Sequence, residues 1–124
     1  GYRIVPVDSL VIYNHLHERK RVVSNIKGIL LKDILAKAVI DEASPKLLRK
    51  YYIICMASDG YTVVFSWNEL FNTVVGDHIL VETEGNGLKG EAMPDKMLLF
   101  SAMDNNTGRR FLKGLSRILV KSVN

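Results

Sequence analysis

The sequence predicts an α+β domain, with mixed and mainly antiparallel β-sheet layers carrying two or three short helices. Three observations predict it. Short β-branched and aromatic runs recur along the chain between Gly, Asn and Asp; a single stretch shows a sustained helical period; and Ser66-Trp67-Asn68-Glu69 spells a helix start directly after one of the β-runs. With 124 residues the chain is read as one domain spanning 1–124. Hydrophobic residues at 48% and charged residues at 24% match chains that bury a core, and exclude disordered or collagen-like classes.

Arg3 to Val7 is apolar and β-branched but contains Pro6, so it reads as an edge strand or an extended arm. Asp8 and Ser9 then offer caps for a short helix running to about Asn14. The charged stretch His15 to Arg21, followed by Val22 and Val23, reads as a short exposed strand, and Ser24-Asn25 as the turn that ends it. After Gly28, the residues Leu31, Ile34, Leu35 and Ala38 fall at i, i+3, i+4 and i+7, one apolar stripe on a helix over Ile29 to Ile40. Ser44-Pro45 closes it.

Tyr51 to Ala57 and Tyr61 to Phe65 read as strands, and Asp59-Gly60 between them predicts a type I′ hairpin turn with positive φ at both central residues. In the capping box, the Ser66 hydroxyl accepts from the N–H of Glu69 while the Glu69 carboxylate reaches back to Ser66, starting a helix through about Phe71. His78 to Glu82 reads as a strand, and Glu84 to Gly87 as a turn needing glycine at two positions. Met97 to Met103 reads as a buried strand, Asp104 to Gly108 as a loop, and Arg117 to Lys121 as the closing strand.

Several function classes drop out on composition. No apolar run approaches the roughly 20 residues of a spanning helix. Cys55 is the one cysteine, which excludes an intrachain disulfide and a cysteine-rich zinc site. Its setting, Tyr52-Ile53-Ile54-Cys55-Met56, predicts core packing rather than nucleophilic chemistry. His15 and His17 share a face if their segment is a strand, but nothing fixes His78 beside them, so no metal ligand is assigned. There is no Walker-type loop, no Gly-x-Ser-x-Gly and no dinucleotide fingerprint. Glu82, Glu84 and Glu91 read as solvated carboxylates, and no catalytic residue is assigned.

The formal net charge of +4 admits an acidic partner without requiring one. The sharpest cluster is Gly108-Arg109-Arg110-Phe111-Leu112-Lys113, with Arg117 beyond it. Glycine allows close backbone approach to a ligand, an Arg fork binds phosphate through two N–H donors, and a lysine adds a point charge, so this segment is read as an anion site. Gly1 stands where an initiating Met would, as in a trimmed or matured chain.

Taken in order, Gly28 before Leu31, Ile34 and Leu35; Asp59-Gly60-Tyr61 with Ser66-x-x-Glu69-Leu70; Glu84-x-Asn86-Gly87; and Gly108-x-Arg110-x-x-Lys113 with Arg117-Ile118 resemble the oxidoreductase molybdopterin-binding domain of the sulfite-oxidase type. The resemblance runs from about Val22 to Val120. It implies a mixed-sheet α+β fold, a bacterial and extracytoplasmic (periplasmic) setting, and a pterin phosphate held by Arg110 and Lys113 with Gly108, Asn86 and Gly87 nearby. The chain departs from that pattern where the chemistry lies. The cysteine that ligates molybdenum in that family belongs between Leu10 and Gly28, where there is none, and Cys55 falls in the next strand. Pro94-Asp95-Lys96 replaces a Pro-x-Arg, Phe100 replaces a proline and Phe111 a polar residue.

Because a fold does not carry its function with it, the expectation is a small non-catalytic member. It would bind a small anion or dock a protein partner, with no cofactor. The alternative is a molybdopterin-dependent oxidoreductase or accessory subunit. A nucleic-acid-binding protein comes third and is not expected, since only the net charge favours it.

Overall fold

The fold is given by a computed structural model that describes residues 2–14, 16–38, 44–85, 88–89 and 97–123. It is α+β, with antiparallel pairing throughout the described sheets. One sheet orders β1 (Val5–Tyr13), β2 (Arg19–Leu30), β5 (Ile79–Gly85) and β6 (Leu88–Lys89), with β7 (Leu99–Ser101) also paired to β5. The other orders β4 (Thr62–Ser66), β3 (Tyr51–Ala57) and β8 (Leu115–Ser122). Two short helices, α1 (Leu31–Ala36) and α2 (Trp67–Phe71), and 3-10 turns at Pro45–Lys50, Val74–His78 and Thr107–Arg110 fill the connections.

Alternation decides which side chains meet. Ile53, Cys55, Val63 and Phe65 of the smaller sheet face Ile79, Val81 and Leu99 of the larger one, and Leu31, Leu35 and Leu70 of the helices close this core. Leu80 points the other way and joins Leu10, Ile12, Ile26, Leu30, Leu98, Phe100 and Phe111 in a second core. Strand β5 is therefore buried on both faces, which is why its start reads as an unbroken apolar run. Each large side chain fully removed from water contributes about 1.5–3 kcal/mol.

A seam joins the two sheets. Leu99 and Leu112 exchange both backbone hydrogen bonds at 2.8 Å, and the Leu115 N–H donates to the Met97 carbonyl at 2.7 Å, so the chain leaves β7's flank and enters β8 without a break.

Several expectations are corrected. The helix capped by Asp8 and Ser9 does not form; the stretch belongs to β1, because Val11 and Ile12 are β-branched and pair with Val22 and Arg21. The strand expected over His15 to Arg21 begins only at Arg19, and the hairpin turn lies before it, where the Asn14 side chain accepts from the Leu16 and Glu18 N–H groups. Ser24-Asn25 does not end a strand. Asn25 takes φ 54° inside β2, which continues to Leu30.

Helix α1 is shorter than the period implied, since Ile29 and Leu30 pair with Val81 and Leu80 as strand and Ala38 is exposed. At the β3–β4 hairpin only Gly60 has positive φ, at 95°, and its N–H bonds to the Ala57 carbonyl. This is a type I turn with a glycine bulge rather than type I′. Ser66 does cap α2 through the Glu69 N–H at 3.0 Å, but the Glu69 carboxylate turns to Arg110.

A Cβ placed on Gly76 would lie 1.8 Å from the Leu70 carbonyl oxygen, so the 3-10 turn can press onto α2 only with glycine there. Gly76→Ala is expected to lower unfolding stability by about 3 kcal/mol, measured by urea denaturation.

Candidate functional site: a basic groove beside the β1–β2 bulge

The register of β1 against β2 shifts near the hairpin. Ile12 pairs with Arg21 and Tyr13 with Arg19, which leaves Lys20 as an extra residue on β2. Such a bulge turns a side chain away from the regular alternation. Lys20 accordingly lines a groove of about 650 Å³ together with Ile12, Asn14, Tyr61, Gly108, Arg109, Phe111 and Lys113.

The opposite wall is held to β1 by Thr107, whose buried hydroxyl accepts from the Tyr13 N–H at 2.8 Å and donates to the Val11 carbonyl at 3.0 Å. Gly108 follows. A Cβ on it would lie 2.6 Å from the Tyr13 carbonyl oxygen, so the close approach that this glycine permits is to the chain's own β1. The Tyr61 hydroxyl donates to the Arg109 carbonyl at 2.9 Å and fixes the next residue of the wall. The floor is apolar and already packed: Ile12 is 6% and Phe111 9% exposed, both in the second core. Lys20, Arg109 and Lys113 are exposed around it.

Arg110 is placed differently. Its Nε and Nη2 donate to the two Asp104 carboxylate oxygens, both at 2.7 Å, and its Nη1 donates to Glu69 at 2.9 Å. The guanidinium also lies over the Phe65 ring, 4.7 Å from its centroid. The Asp104 hydrogen bond, with that of Glu69, outweighs partial burial and holds the guanidinium above its ordinary pKa. Burial acts to raise the Asp104 carboxyl, but hydrogen bonds and charge from Arg110 more than offset it, leaving the group below the usual carboxylate range.

The predicted anion residues are thus divided. Gly108 and Lys113 line the basic groove, whereas Arg110 lines a separate depression with Glu69, Asp104 and Asn106. Asn86 and Gly87 lie outside the described residues. Cys55 is fully buried in β3, and burial pushes its thiol up to about 12, so it offers no thiolate. Among the described residues, Arg110 and Lys113 therefore do not line the same opening. Among the described residues, no group of three or more His, Cys, Asp or Glu side chains is placed to hold a metal ion. His17 stacks on Tyr13 with ring centroids 4.5 Å apart, and its Nδ1 lies 2.7 Å from the Asn106 Oδ1. No helix among the described residues is long and apolar enough to cross a membrane.

The chain matches no family model, no curated protein and no solved structure in comparison with each. Lys20 and Tyr61 were not singled out as site residues by sequence reasoning. A bulge leaves no residue signature, and the hairpin turn that brings Tyr61 across was legible only as a turn.

Two outcomes follow from these positions. Asp104→Asn should lower stability at neutral pH by about 2 kcal/mol. Because the native Asp104 pKa is depressed, its contribution is present above the ordinary carboxylate value of about 3.9 and fades as pH falls through the lowered one. The gap between native and Asp104→Asn unfolding curves should therefore shrink below about pH 4. Separately, a thiol reagent at pH 8 should leave Cys55 unlabelled in the folded chain and label it fully in 6 M guanidinium, read by intact mass.

Proposed function

We propose that the chain is a non-catalytic binding module whose basic groove takes a small organic oxyanion, such as a phosphate monoester with a flat apolar body. The observation that carries this reading is the convergence of Lys20, Arg109 and Lys113 above Ile12 and Phe111. A cationic rim alone is an ordinary solvated surface. Here a bulge sends one cation to the same groove as two others from a distant segment, over a floor set by core packing. An anion gains charge-assisted hydrogen bonds at the rim while its apolar body covers the floor.

Among the described residues, the lining supplies cations, an amide, a phenol and apolar side chains rather than a carboxylate, imidazole or thiol, which supports a binding reading. Set beside the motif resemblance, this proposal keeps Gly108 and Lys113, and replaces Arg110 with Lys20 and Arg109. Arg110 is neutralised by its two carboxylates and serves the fold.

Phenyl phosphate is a suitable probe for isothermal titration at low salt. It should bind more tightly than inorganic phosphate, and remain unhydrolysed. Lys20→Ala and Lys113→Ala should each weaken binding by about tenfold, or ~1.4 kcal/mol. Equal binding of phenyl phosphate by wild type and by both variants would contradict the assignment.

A further inference from the structure

We propose that the outer face of the three-stranded sheet docks an acidic amphipathic helix of a partner protein. The register sets out this face in three rows. Ser66, Tyr52 and Lys121 lie across one end; Val64, Ile54 and Leu119 form the middle; Thr62, Met56 and Arg117 lie across the other end. These side chains alternate with Ile53, Cys55, Val63 and Phe65, which point into the core, so they occupy the opposite face.

None of the nine is buried, and Val64 is 51% exposed. Among these nine described residues, the apolar middle row is flanked by two cations on β8 and by no acid. An antiparallel sheet can show one face to water, but that face is then ordinarily polar. Here the row that should be most polar consists of Val, Ile and Leu.

The occupant follows from charge and dimensions. A second copy of the chain laid face to face would bring the same two cations and no acid to meet them. An acidic partner answers both. Rows two residues apart along a strand are about 7 Å apart, and strands about 4.8 Å, so the patch is roughly 13 by 10 Å. One α-helix of about 10–12 Å diameter covers it. Running along β8, a helix with apolar residues at i, i+3, i+4 and i+7 would rest on the middle row and its neighbours. Glutamates seven residues apart, about 10.5 Å along its axis, would reach Arg117 and Lys121.

The test uses the full chain and two labelled 18-residue helical peptides. Both carry Leu at those positions, with Glu on the flanks of one and Lys on the flanks of the other. The Glu peptide is expected to bind by fluorescence anisotropy, with amide shifts confined to β3, β4 and β8 in ¹⁵N–¹H spectra. Arg117→Glu with Lys121→Glu should weaken it on the order of tenfold and remove most of its salt dependence. Val64→Asp should abolish binding, with unfolding midpoints confirming that both variants fold.

Equal binding of the Lys peptide, binding by neither peptide, shifts lying elsewhere, or a dimer in solution that Val64→Asp dissolves would each overturn the proposal. The basic groove plays no part in this surface, so the two assignments stand or fall separately.

Discussion

The guanidinium of Arg110 is the contact on which the arrangement of this molecule turns. It ties the loop after β7, through Asp104, to the first turn of α2, through Glu69, and lies on Phe65 from the wall between the sheets. Two stretches of the chain, the β4–α2 junction and the segment from Asp104 to Arg110, are thereby fixed against one core although Glu69 and Arg110 lie 41 residues apart. Removing the cation would leave two partly covered carboxylates facing each other, which is costlier than losing an exposed pair.

That commitment separates neighbouring residues into different roles. With Arg110 turned towards α2, Arg109 lines the basic groove, and the next residue, Phe111, supplies the apolar floor. Thr107 and Gly108 bring this segment against β1, where the bulge delivers Lys20. The groove is a consequence of packing. Its cations are positioned by a seam, a bulge and a buried threonine, none of which needs a ligand to form. Such preorganisation of the backbone would keep the ordering cost of the proposed binding low.

The fold class was legible because alternation and length are strong signals. Tyr51 to Ala57 read as a strand and is β3 to the residue, and the Ser66 cap of α2 stood in the sequence as it does in space. The failures have a common cause. Asp8 and Ser9 are good caps, but pairing of Val11 and Ile12 across β2 overrides a local preference worth little on its own. Asn25 has turn chemistry, and spends it on one left-handed residue within a continuing strand.

The basic motif was found, but its division was not. Sequence alone places Arg110 and Lys113 together, and the carboxylates that claim Arg110 are 6 and 41 residues away. The apolar row on the outer face of the smaller sheet was equally hidden, because an apolar run such as Tyr51 to Ala57 looks the same whether one face or both are covered.

We propose a division of labour in which Arg110 serves the fold while Lys20, Arg109 and Lys113 hold an anion. An NMR titration of the ¹⁵N-labelled chain with phenyl phosphate, following backbone amides and arginine Nε–H signals together, tests it most directly. Saturable shifts are expected at Tyr61, Gly108, Phe111 and Lys113, with the Arg110 Nε–H signal held in place by Asp104. Movement of the Arg110 Nε–H and of the Asp104 to Asn106 amides, with the groove unchanged, would contradict it.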